Sequence, residues 1–177
     1  ESLQRLTRFS RDLGLLGTLE NIGERIFDEL CAVTGSSEGS VSLADRERAL
    51  YRRVSAQGAS HTATAPTVMA LHHPLVQHLT DGQHAIDHDI CFYQGTGKQA
   101  GQDLSTTLRE LAATMAVPLC AKGQLVAFVL LGRPGMPDGV GAERAELVSA
   151  MAQTAANALD SVVVYEDLRQ SQALMRR

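Results

Sequence analysis

The chain has 177 residues, 44% of them hydrophobic and 20% charged, with a formal net charge of −4 and a sequence pI of about 5.8. That length and balance fit one globular domain with a core of its own, and they exclude a disordered or low-complexity chain. Arg52-Arg53 and Arg176-Arg177 are the only adjacent basic pairs, which excludes the concentrated positive field of a nucleic-acid-binding surface.

Leu3, Leu6, Leu13 and Leu16 keep a seven-residue rhythm that polar Ser10 completes, which predicts a first helix closed by Gly14 or Gly17. Thr18 is a candidate N-cap for a second helix, with Glu20 in its first turn and Leu19, Ile22, Ile26, Leu30 and Val33 along one face. The polar run 34–39 ends it. Residues 40–44 alternate as a strand does, 45–48 make a polar turn, and 49–57 form a second strand, so the two predict a hairpin. Residues 58–67 are small and polar and read as a loop. His73 to Leu79 reads as a short helix with Pro74 at its first position, ended by Asp81-Gly82. A short strand is expected over 84–88 and a loop over 91–101. A helix capped by Asp103 or Ser105 is expected to run through Ala113.

The last third is the most informative. Val117-Pro118-Leu119-Cys120-Ala121 leads through Lys122-Gly123-Gln124 into Leu125-Val126-Ala127-Phe128-Val129-Leu130-Leu131-Gly132. This reads as a strand, a tight turn and a strand apolar at every position, hence buried on both faces. Strand alternation sets Val126, Phe128 and Leu130 against Leu125, Ala127, Val129 and Leu131, and Ala116, Pro118 and Cys120 against Met115, Val117 and Leu119. A Gly/Pro-rich loop follows over 133–141, and then 142–177 carries neither Gly nor Pro. That stretch reads as one long helix. It has a heptad seam at Leu147, Met151, Thr154, Ala158, Ser161, Tyr165, Leu168, Gln172 and Met175. Beside it runs a more apolar row, Val148, Ala152, Ala155, Leu159 and Val162, expected to pack on the sheet. A rod with two usable faces predicts a homodimer through terminal helices.

The element order, the closing hairpin and the outgoing helix resemble a GAF domain of a bacterial multidomain signalling protein of the histidine-kinase-type sensor class. The resemblance covers nearly the whole chain. It implies an α+β, GAF-like fold: one antiparallel sheet with helices on both faces. Residues 1–17 would be an N-terminal helix, 18–141 the core and 142–177 the output helix. It also implies a cytoplasmic sensory domain whose small-molecule pocket lies between the sheet and the insert of residues 58–101. Candidate lining residues there are His73, Cys91, Tyr93, Met115 and Phe128. The output helix, through Leu147, Met151, Ala158, Tyr165, Leu168 and Met175, would relay the signal to a downstream domain, a histidine kinase first. A sigma-54-type transcriptional activator and a diguanylate cyclase are the alternative outputs. A ligand-free dimerisation module is the alternative of a different class. The ligand is not named by the sequence.

Six histidines are present, and five lie between His72 and His88 near Asp87, Asp89 and Cys91. On a strand, His84 and His88 would stand roughly 13 Å apart, at about 3.3 Å per residue, so they cannot share one zinc ion. No metal or haem is expected. Asp89-Ile90-Cys91-Phe92 matches a D-x-C-F string of bilin-binding cyanobacteriochromes, but the helix over 106–113 lacks their Cys-His pair, so no bilin is expected. The signature of cyclic-nucleotide-binding members is also missing. The three cysteines, Cys31, Cys91 and Cys120, form no C-x-x-C pair, which points to a reducing cytosol and against a disulfide scaffold. A thiol-based methionine sulfoxide reductase is a remote alternative, because Cys31 and Cys120 fall where thiols are inert. No uninterrupted apolar run approaches the roughly 20 residues of a membrane span, so no membrane contact is expected. Glu1-Ser2-Leu3 shows no initiator Met and no leader pattern, and Gln172 to Arg177 stops in helical sequence. Both ends are therefore expected to be cuts in a longer polypeptide.

Overall fold

The apolar run 125–131 becomes the middle of a sheet because the first long strand pairs with it rather than with an edge. The computed structural model describes residues 1–82, 86–87, 98–134 and 142–176. In chain order the elements are α1 (Ser2–Leu15), α2 (Leu19–Thr34), β1 (Ser36–Asp45), β2 (Leu50–Gln57), α3 (Ala59–Thr64), β3 (Val68–Ala70), α4 (Pro74–Gly82), β4 (Ile86–Asp87), α5 (Lys98–Glu110), β5 (Met115–Ala121), β6 (Gln124–Pro134) and α6 (Ala142–Met175). The sheet is six-stranded, in the order β3-β2-β1-β6-β5-β4, with every described pairing antiparallel. This is the α+β architecture expected from the sequence.

Local chemistry sets the boundaries. Thr18 Oγ1 accepts the Asn21 N–H at 3.3 Å and caps α2, with Glu20 in the first turn favoured by the helix dipole. Gly35 closes α2 in the left-handed region (φ 73°), its N–H donating to Cys31 O at 2.8 Å. The chain then turns straight into β1, so that strand starts at Ser36, four residues before the alternation becomes legible.

Two cores sandwich the sheet. On one face α1, α2 and α6 bury Phe9, Leu13, Ile22, Ile26, Phe27 and Leu30 against Val117, Leu119, Ala127, Val129 and Leu131. On the other, Leu75, Leu79, Leu104 and Leu108 from α4 and α5 cover Tyr51, Ala116, Phe128 and Leu130. The strict alternation expected for β6 holds only from Ala127 onward. A register shift opposite Leu119/Cys120 pairs Leu119 with Ala127 but Cys120 with Leu125, leaving Val126 as the extra residue of a β-bulge. Leu125 therefore joins Phe128 and Leu130, while Val126 packs toward the helices.

Two expectations need correction. The stretch expected as a loop over 58–67 contains α3, and β3 follows it. Here the decisive residue is His61, fully buried, with Nε2 2.8 Å from Ser40 Oγ and Nδ1 3.3 Å from Ala112 O. One buried, hydrogen-bonded side chain holds a helix whose small residues show no amphipathic period. α5 begins at Lys98, five residues before the expected cap, so Gly101 lies inside a helix. Tertiary packing of Leu104 and Leu108 overrides the weak propensity of that first turn.

Gly39 marks the closest approach of β1 to its surroundings. An added Cβ would overlap the Leu130 carbonyl oxygen and stand 2.8 Å from Phe27 Cε2. Gly39→Ala should therefore cost about 1–3 kcal/mol by overpacking, read as a lower melting temperature with unchanged secondary structure. Burial lowers the pKa of His61 below 6.5. The Ala112 carbonyl and Glu38 oppose that shift, and Arg53 adds to it. The unfolded chain thus takes the proton first as pH falls. The stability present above about pH 6.5 should be lost as pH falls toward the folded value. Thermal unfolding from pH 7.5 to 5 should show this slope, and His61→Asn should flatten it.

Candidate functional site

The tips of the two hairpins, the face of α4 and the middle of α6 meet around a half-open cavity of about 840 Å³. The β1–β2 turn and its flanks contribute Asp45, Arg46, Ala49, Leu50 and Tyr51. Helix α4 contributes Val76, Gln77, Thr80 and Asp81. The β5–β6 turn adds Gly123 to Val126, and α6 adds Asp160 and Val163. A volume of this size suits a small organic molecule, and an apolar floor with a few polar groups is the usual composition of such sites.

The floor is fixed by Tyr51. Its ring lies 5.4 Å from that of Phe128, tilted by 54°, and its hydroxyl donates to Leu125 O at 2.8 Å. The bulge at Val126 turns Leu125 into this position. Burial, with the Cys120 thiol nearby, raises the Tyr51 pKa, so the phenol stays protonated and keeps its donor role.

The rim is ionic. Asp160 has side-chain exposure of only 11%. It receives Lys122 Nζ at 3.2 Å on Oδ2 and faces Arg46 Nη2 at 3.8 Å from Oδ1. Asp45 accepts the Arg48 N–H at 3.1 Å and faces Arg52 at 3.6 Å. Lys122 (φ 53°) and Gly123 (φ 74°) form the two-residue loop between Ala121 and Gln124, the geometry that a tight hairpin requires.

The expected site residues are not gathered in one place. His73 precedes α4, where its Nδ1 accepts the Leu75 N–H at 3.3 Å and caps the helix. It is half-buried, and burial lowers its pKa against the opposing pull of Glu110. Met115 and Phe128 lie on opposite faces of the sheet, Met115 under the helices and Phe128 under α4 and α5. The lining of the cavity includes neither, and His73 is absent from it too. Cys91 and Tyr93 lie outside the described residues.

Along α6 the expected row of Val148, Ala152, Ala155, Leu159 and Val162 does pack on the core. The heptad seam divides. Met151 is fully buried inside the domain, and Leu147 and Ala158 are partly buried against the same core, so Met151 cannot face a second rod. Tyr165, Leu168 and Met175 are 67%, 59% and 83% exposed. The physical reason is the width of the buried stripe: α6 lies against α1, α2 and β5 together, and three neighbours occupy more of its circumference than one sheet face would. By length and composition alone α6 could cross a membrane, with a window of mean hydropathy 1.2. Its buried apolar residues are those already spent on the sheet and on α1 and α2.

Sequence reasoning missed Tyr51, Arg46, Lys122 and Asp160 as a group. One signal was available. Asp160 directly follows Leu159 at the end of a buried apolar stripe, and a carboxylate there needs a partner. The thiols are not poised for chemistry: burial and the Asp28 charge push Cys31 up to about 11, and burial raises Cys120. Among the described residues no group of three or more His, Cys, Asp or Glu could hold a metal ion.

No curated protein matches the chain. Several solved structures share its fold at low identity. The GAF domain of an Acinetobacter phosphoenolpyruvate-protein phosphotransferase superposes with a TM-score of 0.67 at 10% identity, covering 92% of this chain and 94% of that one. Residues 122 to 287 of a methyl-accepting chemotaxis protein give 0.64 at 15% identity, covering 89% and 98%. The GAF domain of a "putative sensor histidine kinase" from Pseudomonas syringae pv. tomato gives 0.65 at 15% identity, covering 96% and 92%. At these identities the likeness concerns the fold. The family model described as GAF domain matches residues 18–159, from the cap of α2 to the last core leucine of α6, and on that match the chain belongs to the GAF domain family.

Proposed function

We propose that this domain is a cytoplasmic sensor that binds a small molecule in the cavity at the hairpin tips and passes the signal along α6 to an output domain. The observation that carries this reading is that α6 itself forms part of the cavity wall, through Asp160 and Val163, and then leaves the domain. A molecule in the cavity touches the same helix that would lead to the next module. Binding would act by population shift, favouring one arrangement of the turns and helix over another. The output is a histidine kinase on this reading. The name of the Pseudomonas syringae protein supports that choice, while the phosphotransferase and chemotaxis proteins show how varied the partners of this fold are.

A homodimer is part of the proposal, and it uses the exposed half of α6 rather than the whole seam. Tyr165, Leu168 and Met175 follow the heptad steps beyond the last core contact, and Val164 is exposed beside them. Sedimentation should report a dimer for the chain. Leu168→Glu should shift it to monomer without lowering the melting temperature of the core.

Ligand binding is tested by thermal-shift and native mass spectrometry with small-molecule libraries. A binder should raise the melting temperature, and Leu71→Trp should abolish the rise, because Leu71 also lines the cavity and an indole there fills it. A full screen without a binder would favour the ligand-free dimerisation module.

Relay through α6 makes phase matter more than composition. One residue inserted between Tyr165 and Leu168 turns everything downstream by about 100°, whereas seven restore the heptad phase. In the full-length protein the single insertion should lock autophosphorylation on or off, and the seven-residue insertion should keep it regulated. Equal behaviour of both with the parent would make α6 a passive linker.

A further inference from the structure

Asp160 is the last buried charged residue of α6, and nothing beyond Val163 on that helix is covered by the domain. Its two carboxylate oxygens are divided between two turns that are far apart in sequence. Oδ1 faces Arg46 from the β1–β2 turn, and Oδ2 receives Lys122 from the β5–β6 turn. The same carboxylate belongs to two concavities. One is the cavity of about 840 Å³. The other is a groove of about 520 Å³ along the helix, formed by Lys122, Asn157, Ser161, Val164, Tyr165 and Leu168. No other described residue of α6 stands in both alongside the tip of a hairpin.

Lys122 adopts φ 53°, as its place in the two-residue turn requires. Its side chain ends on Asp160, with Nζ 3.2 Å from Oδ2. The Arg46 contact is looser, at 3.8 Å, and Arg46 is the cation that lines the cavity. An occupant between α4 and the hairpin tips would touch Arg46, Asp160 and the β5–β6 turn at once, so it meets both sides of the ion pairs.

We propose that Asp160 is a latch: its ion pairs with Arg46 and Lys122 hold the exit of α6 against both hairpin tips, and filling the cavity opens those pairs and frees the helix beyond residue 160. Asp160 is thus a positioning residue that joins cavity occupancy to the order of the exposed helix. The proposal rests on the sensory reading for its purpose. It is tested without any ligand, so the two can fail separately.

The experiment is hydrogen–deuterium exchange on the whole chain. In Asp160→Asn, amides of residues 160–168 should exchange about two- to fivefold faster, a change of the size that a partly exposed ion pair contributes to local opening. Core amides of β1 and β6 should keep their protection. Thr80→Trp, which fills the cavity from α4, should raise exchange over the same residues, and should add nothing in the Asp160→Asn background. The double variant Arg46→Gln/Lys122→Gln changes only exposed side chains and should reproduce Asp160→Asn, which keeps the test valid if the buried substitution impairs folding. Unchanged exchange over 160–168, acceleration spread evenly through the core, or a Thr80→Trp effect that persists without Asp160 would each overturn the latch. Failure to find a ligand would sink the sensory reading and leave the latch standing.

Discussion

Everything in this domain hangs on β6 being covered from both sides. A strand apolar at every position from Leu125 to Leu131 cannot sit at an edge or face water there, so it needs a layer of helices above and below and a strand on either flank. β1 supplies one flank and β5 the other. The helices then sort by which core they can fill. α1, α2 and α6 bring large aliphatic and aromatic residues to one face, and α4 and α5 bring leucines to the other. Because the hairpin β5–β6 lies next to β1–β2, both turns emerge at the same end of the sheet. The cavity lies there, with α4 and α6 both lining it.

The sequence made the scaffold readable wherever burial was periodic. The second helix, the closing hairpin and the packed row of α6 all have apolar residues at regular spacing, and each stands where the pattern put it. Reading failed where one residue did the work of a pattern. His61 anchors α3 through two hydrogen bonds inside a stretch of Ala, Ser and Thr with no period at all. The bulge at Val126 interrupts alternation with no Gly or Pro to announce it, and it decides which leucine floors the cavity.

The site was less legible than the fold for a related reason. Its residues come from four segments, and each alone looks ordinary: a turn arginine, a turn lysine, a strand tyrosine, a helix aspartate. Only the register of β1 against β6 and β6 against β5 brings Arg46 and Lys122 to the same carboxylate. Spacing along a chain carries no trace of that. The histidine-rich stretch attracted notice by composition, yet His73 serves as the cap of a short helix. Met115 and Phe128 looked equivalent as apolar strand residues, but pleating sends them to opposite sides.

The length of α6 has a mechanical consequence. From Asp160 to Met175 the helix extends fifteen residues beyond its last charged anchor, a lever arm of about 22 Å at 1.5 Å per residue. A tilt of about 10° at the anchor would carry the far end sideways through about 4 Å. The geometry magnifies motion without any large rearrangement of the core: sub-ångström displacements at the hairpin tips become movements of several ångströms at Met175. Such gain holds only while the arm stays rigid, and an unbroken run without Gly or Pro is what keeps it so.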